Sequence, residues 1–341
     1  MGLFVGKELP NNEYRPGAIM RWLWPKHLSG NESNGYGVKE KVPPTQMLDG
    51  PNKKYWVAPG LWFLVRCYVG NMETLKSFFI YMKREKSGHI DVAPQKIEES
   101  GEKTAAALRE YAKDHPQIDI LGITHMRDEW MFVGQKPPRG KWIIVIAKAM
   151  DYEKVAANLK GNFNPTLTQV IGGYERTQKA AVDIANWIRA RGYDAKGFGG
   201  MAPVKDEWHL VIPAAIESGI GQLAKNGSII SDKLGSCFRL ASVITEIPLA
   251  ADSPREIGVD EFCYACKKCQ TDCPAGAITN EKHLVRGVMK WYVNFDKCMP
   301  YMAEHKACAI CLSTCPWSRP GVAPSLSKKM LAKMARNKDD A

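Results

Sequence analysis

The sequence predicts an α+β fold with a small cysteine-rich domain at its C-terminal end, on three observations. Eight of the ten cysteines fall in two late runs, Cys263-x2-Cys266-x2-Cys269-x3-Cys273-Pro274 and Cys298-x9-Cys308-x2-Cys311-x3-Cys315-Pro316. Upstream, between Ile97 and Pro248, helical and strand periodicities alternate. One strand segment, Trp142 to Lys148, is apolar at consecutive positions, the pattern of a central strand covered on both faces.

Residues 1–95 read as an N-terminal arm and an aromatic-rich helical region. The arm is rich in Gly, Pro, Asn and charge, with Trp22 and Trp24 as anchors and no periodic structure of its own. Tyr55 to Met82 reads as a helix pair packed on the core, or else as a docking face for a membrane surface or a partner subunit. Residues 96–250 form the core. A helix is expected from Ile97 to His115, then strands at Asp119–His125 and Trp142–Lys148, and a helix from Gly173 to Gly192. A Gly-rich loop at Gly197–Pro203, a short strand at His209–Pro213 and a strand at Arg239–Pro248 complete it. Between the last two, Gly219-Ile-Gly-Gln-Leu-Ala-Lys-Asn-Gly227 lacks the register of a dinucleotide fingerprint, yet its glycines allow close backbone approach to a large flat ligand. Residues 251–322 carry the cysteines. Residues 323–341 form a basic tail whose apolar residues recur at helical spacing, read as a capping helix in preference to a membrane-surface helix.

The first cysteine run has the spacing of a bacterial ferredoxin, in which three close thiolates hold one cubane and the fourth reaches the other. By that logic Cys263, Cys266, Cys269 and Cys315 bind one 4Fe–4S cluster, and Cys273, Cys298, Cys308 and Cys311 bind a second. Zinc would use paired CxxC units without a third close cysteine or the Cys-Pro ending. Disulfides suit an exported chain, and Met1 to Gly6 shows no positive n-region, twin arginine or cleavage site. The expected compartment is the cytoplasm, with a peripheral membrane contact as the variant. The formal net charge of +11 suits an acidic partner, an anionic membrane, RNA or an anionic substrate. No motif points to DNA.

From Met150-Asp-Tyr152 to Cys315-Pro-Trp317, about half the chain resembles the corrinoid iron–sulfur reductive dehalogenases. The resemblance is carried by Gly173-Tyr174, Trp187-Ile-Arg-Ala-Arg-Gly-Tyr193, Ile212-Pro213, the Gly219–Gly227 segment, Arg239, Thr245-Glu-Ile-Pro-Leu249 and both cysteine runs. It implies a nitroreductase-like corrinoid-binding core joined to a C-terminal ferredoxin-like double-cluster domain. An external low-potential donor would supply electrons to a base-off corrinoid that reduces a halogenated or related small molecule. The absence of an Asp-x-His-x-x-Gly motif agrees with the base-off form. Tyr174 falls at the family's proton-donating tyrosine and Arg239 at its active-site arginine, with Asp206 and Tyr193 as substitutes for the donor. Gly219, Gly221, Gln222, Lys225, Asn226 and Gly227 fall where corrinoid contacts are expected. The chain departs from the family at Ala224, Lys225 and Glu246 and throughout its N-terminal third. Two other readings stay open: an electron-transfer subunit with a decayed corrinoid site, and an enzyme like epoxyqueuosine reductase acting on tRNA.

Overall fold

A computed structural model of the chain describes residues 2–45, 53–201 and 206–339. The N-terminal segment forms short elements: a hairpin of Lys7–Leu9 with Glu13–Arg15, a helix at Ala18–Leu23 and a turn of helix at Gly30–Ser33. It wraps the cysteine-rich half. The buried Glu304 carboxylate accepts from the Gly6 and Gly17 N–H groups, both at 2.9 Å, and from the Tyr14 hydroxyl. Asp296 accepts from Ser29 Oγ at 2.6 Å and from the Gly30 N–H at 2.7 Å. Trp24 packs edge-on against Trp56, whereas Trp22 is 80% exposed and anchors nothing.

Helices α1 (Lys53–Tyr68) and α2 (Met72–Ser87) follow, with Asn71 Oδ1 capping α2 by accepting from the Thr74 N–H. Val57, Leu61, Leu64, Val65 and Val69 leave an exposed apolar stripe along the outer side of α1. Helix α3 (Gly101–Lys113) starts at Ser100, whose Oγ accepts from the Lys103 N–H. Strands β1 (Ile120–His125) and β2 (Trp142–Ala149), helix α4 (Phe163–Arg189), strand β3 (Ala195–Phe198), helix α5 (Val211–Glu217) and strand β4 (Phe238–Thr245) build the core. The strands make one antiparallel sheet in the order β1-β2-β4-β3. Ile144 and Ile146 of β2 face Leu108, Ile184 and Ile188 on one side. Ile143, Val145 and Ala147 face Trp130, Phe198 and Ala214 on the other. The period of two is hidden in the sequence because both faces are buried.

Two expected boundaries move, both at proline. Helix α4 begins at Phe163, ten residues before Gly173, because Pro165 lies in its first turn, where no intrahelical N–H bond is lost. It ends at Arg189, and Gly192 takes φ 81° as the left-handed stop. The strand expected at His209–Pro213 is mostly helix: His209 makes one bridge to Met131, and α5 then starts at Val211 with Pro213 in its first turn. Of the expected Gly-rich loop, Ala202 and Pro203 lie outside the described residues.

The C-terminal half contains α6 (Val259–Ala265), an antiparallel hairpin of β5 (Ile278–Val285) with β6 (Val288–Val293), α7 (Phe295–Glu304) and α8 (Val322–Asp339). Helix α8 lays Ala323, Leu326 and Met330 against Ile257, Val259 and Trp317, so its apolar side is spent on capping this half. Among the described residues no helix is long and apolar enough to cross a membrane.

Candidate active site

Cys263 lies on α6, Cys266 caps that helix and Cys269 follows a turn later. The chain then returns with Cys315, and these four line one small cavity with Lys225 and Phe262. Burial pushes the thiols up, Cys263 to about 11 and Cys269 and Cys315 to about 12, each raised further by the others' charge. Backbone N–H groups of Lys225 and Trp317 donate to Cys263 and Cys315.

The second set gathers Cys273, Cys298 of α7, Cys308 and Cys311. Burial again dominates: Cys298 and Cys308 are pushed up to about 12, and Cys311 lies well above the ordinary thiol value, raised also by Cys308, Cys298 and Cys273. The loop into this set carries four successive left-handed residues, Lys306 (φ 50°), Ala307 (69°), Cys308 (38°) and Ala309 (62°), without a glycine. Each costs about 1 kcal/mol or more. Two bonds help hold the loop: Asn158 Nδ2 donates to the Cys308 carbonyl at 2.8 Å, and Lys306 Nζ to Asn164 Oδ1 at 2.6 Å. Among the described residues no three or more His, Cys, Asp or Glu side chains converge as a single metal ion requires. A cubane makes no such demand, because each thiolate binds its own iron. Sets of four thiols, partly to fully buried and with N–H donors on some of their sulfurs, fit that group.

The structure brings Tyr174 of α4 and Arg239 of β4 together, with the guanidinium carbon 5.0 Å from the tyrosine ring centroid. Gly173 makes the approach feasible, since a Cβ there would sit 2.8 Å from Arg239 Cγ. Arg239 Nε is buried and has no hydrogen-bond partner among the described residues. Tyr174 shares one apolar cluster with Tyr68, Met150, Met201 and Cys311, so the pair and the second cysteine set border the same packed region. A cleft of about 750 Å³ is lined by Arg66, Asn158, Asn162, Asn164, His305 and Lys306, among others, and by neither Tyr174 nor Arg239. Arg66 Nε and Asn158 Oδ1, on two of those lining residues, are also buried without a partner among the described residues. Sequence reading missed these groups; three asparagines between 158 and 164 were the one signal.

The six residues expected at a corrinoid have other neighbours. Gly219 (φ 71°) and Gly227 (φ 74°) do allow close approach, of Ser253 O (2.6 Å from a Cβ) and Val293 Cγ2 (2.9 Å), and Gly221 meets the Ile230 backbone. Gln222 Oε1 accepts from the Ile257 and Val259 N–H groups at 3.1 and 3.2 Å. Lys225 Nζ donates to the Cys266 carbonyl and to Asn280, and Asn226 Nδ2 to the Cys311 carbonyl at 3.2 Å. The segment joins the sheet to both cysteine sets. Of the substitute donors, Asp206 pairs with Lys136 at 3.3 Å, and Tyr193 packs in the core beside α3. Cys67 and Cys237 are buried beside Met150 and Leu167.

No protein-family model matches the chain. It is 31% identical over 216 residues to a tetrachloroethene reductive dehalogenase of Dehalobacter restrictus, covering 59% of this chain and 37% of that protein. Over that stretch the chain is similar to the reductive dehalogenases. It spans little more than a third of the length of such relatives. A solved reductive dehalogenase, described with a mechanism for B12-dependent dehalogenation, shares the fold at TM-score 0.62 and 20% identity, over 78% of this chain and 40% of that one. An epoxyqueuosine reductase of Leadbetterella byssophila is 29% identical over 163 residues, 42% of this chain and 44% of that protein.

Proposed function

We propose that the chain is a reductive dehalogenase-like oxidoreductase that holds two 4Fe–4S clusters and a base-off corrinoid and acts on an organohalide or a related small molecule. The observation that carries this reading is the sorting of eight cysteines into two sets, the second bordering the Tyr174–Arg239 pair. Cys263, Cys266, Cys269 and Cys315 would hold one cluster, and Cys273, Cys298, Cys308 and Cys311 the other. Three unpartnered polar atoms support a further polar ligand: Arg239 Nε beside Tyr174, and Arg66 Nε and Asn158 Oδ1 at the cleft. A corrinoid presents peripheral carboxamides and a phosphate, which suit Asn158 on one hand and Arg66 and Lys306 on the other. When bound, these groups supply low-potential electrons and a nucleophilic metal.

The protein's own contribution is orientation and a proton. A phenol holds its proton at neutral pH and can release it as negative charge develops on a neighbouring carbon. The phenolate left in a dry site needs a fixed cation, and a guanidinium over the ring supplies one that cannot itself become the acid. Tyr174 is therefore assigned as proton donor and Arg239 as its electrostatic partner. The exposed apolar side of α1 is where a partner subunit or a membrane surface would meet the chain.

Anaerobic purification with metals counted per chain tests the reading. About eight irons, from two four-iron cubanes, and about one cobalt are expected. Zinc in place of iron would overturn it, and irons without corrinoid binding would leave the electron-transfer reading. The epoxyqueuosine reductase relative makes tRNA the competing substrate, so a tRNA stem-loop belongs in the same binding assay as halogenated phenols and alkenes.

A further inference from the structure

Lys225 is almost fully buried, at 1% exposure, and its amine has only neutral partners. Nζ donates to the Cys266 carbonyl at 2.6 Å and to Asn280 Oδ1, and it lies 5.1 Å from the centroid of the Trp291 ring. Among the described residues no carboxylate stands within ion-pair distance of it. Asp260 is occupied by Lys282 Nζ at 2.7 Å and Trp291 Nε1 at 2.8 Å. An ammonium buried without a counter-ion costs several kcal/mol, and proteins ordinarily avoid it. What Lys225 does face is the cavity of Cys263, Cys266, Cys269 and Cys315.

We propose that Lys225 is the fixed counter-charge of the first cluster, making that cluster the easier of the two to reduce. This rests on the reading that the cysteines hold clusters. Four thiolates on a cubane leave a net negative group, and each added electron deepens that charge. A cation in a low-dielectric wall stabilises the reduced form more than the oxidised one, and so raises the potential. On the side of the second set, the cations Arg66 and Lys306 line the cleft together with Glu8 and Asp272 and are only partly buried.

The test is a reductive titration of the holoprotein with dithionite, one electron per cluster, followed by electron paramagnetic resonance after iron is counted. Lys225→Gln keeps a donor and removes the charge; Lys225→Arg keeps the charge. The expected result is one midpoint moved to lower potential in Lys225→Gln, the other unmoved, and both near the parent's in Lys225→Arg. Loss of one cluster's iron from Lys225→Gln alone, with Lys225→Arg intact, would show the same charge requirement at assembly. Unchanged midpoints in Lys225→Gln, or equal iron loss in both variants, would overturn the proposal. A parent protein that takes up no iron would instead defeat the cluster reading itself.

Discussion

The two cysteine sets have the same four donors and different walls. The first is closed in by Lys225, Phe262, Trp291 and the capping helix α8, and is remote in packing from Tyr174. The second is wrapped by the N-terminal segment through Glu304, is entered by a left-handed loop, and shares its packing with Tyr174. Identical ligand chemistry has been placed in one wall that supplies charge and another that supplies access. The lesson is that spacing sets which donors come together, while the wall decides what lies within their reach.

The largest expected effect separates the sets outright. Cys298→Ser should lose about four irons, from one cubane, and all turnover, while the first set keeps its own. Iron analysis with paramagnetic resonance checks this, and loss of all the iron would show that the sets do not fold independently. Next, Tyr174→Phe should keep the iron and the corrinoid yet lose turnover about a hundredfold or more, as for a missing general acid. Arg239→Lys should lose less, about tenfold, or roughly 1.4 kcal/mol, because charge remains without the planar fork. Full activity in Tyr174→Phe would move the donor elsewhere and remove the reason for placing the second set beside this pair.

The wrapping of the second set predicts a stability effect. Glu304→Ala strands the Gly6 and Gly17 N–H groups and should cost about 2–3 kcal/mol in denaturant unfolding. Iron should then leave the second set first; simultaneous loss from both would dissolve the distinction. The smallest effect lies outside both sets. His209 is wholly buried in the core, where burial lowers its pKa to about 4; Nδ1–H donates to the Glu207 carbonyl and Nε2 accepts from Ser242. The folded state therefore holds the neutral ring, and its stabilisation is complete above the unfolded value of about 6.5. That stabilisation falls as pH drops from about 6.5 to about 4, with a slope of at most about 1.4 kcal/mol per pH unit. Thermal unfolding of the parent and of His209→Gln across that range checks it, the variant having the shallower slope.

Much of this was legible in residue order. The grouping of the cysteines follows from a spacing that no single-ion site shares. The central position of β2 follows from an apolar run too short for a buried helix. Tyr174 and Arg239 were found through resemblance alone, since a tyrosine on a helix and an arginine on a strand carry no local signal of meeting. The Gly219–Gly227 segment was legible as a place of close approach and illegible as to what approaches: Ser253, Ile230 and Val293 come from separate elements. Two boundaries differ where proline enters a helix: Pro165 and Pro213 each sit in a first turn, which tolerates a residue without an N–H.

The sequence by itself determined the donor atoms, the spacing that sorts them into two runs, and the helix and strand that carry Tyr174 and Arg239. The tertiary structure decided what surrounds them. Asn158 meets Cys308 across 150 residues, Glu304 meets Gly6 across 298, and Lys225 meets Cys266 across 41. Local chemistry sets a residue's conformation and its capacity to donate, accept or ligate. Whether a buried charge or an amide finds a partner depends on chain segments that only packing of the whole molecule brings alongside.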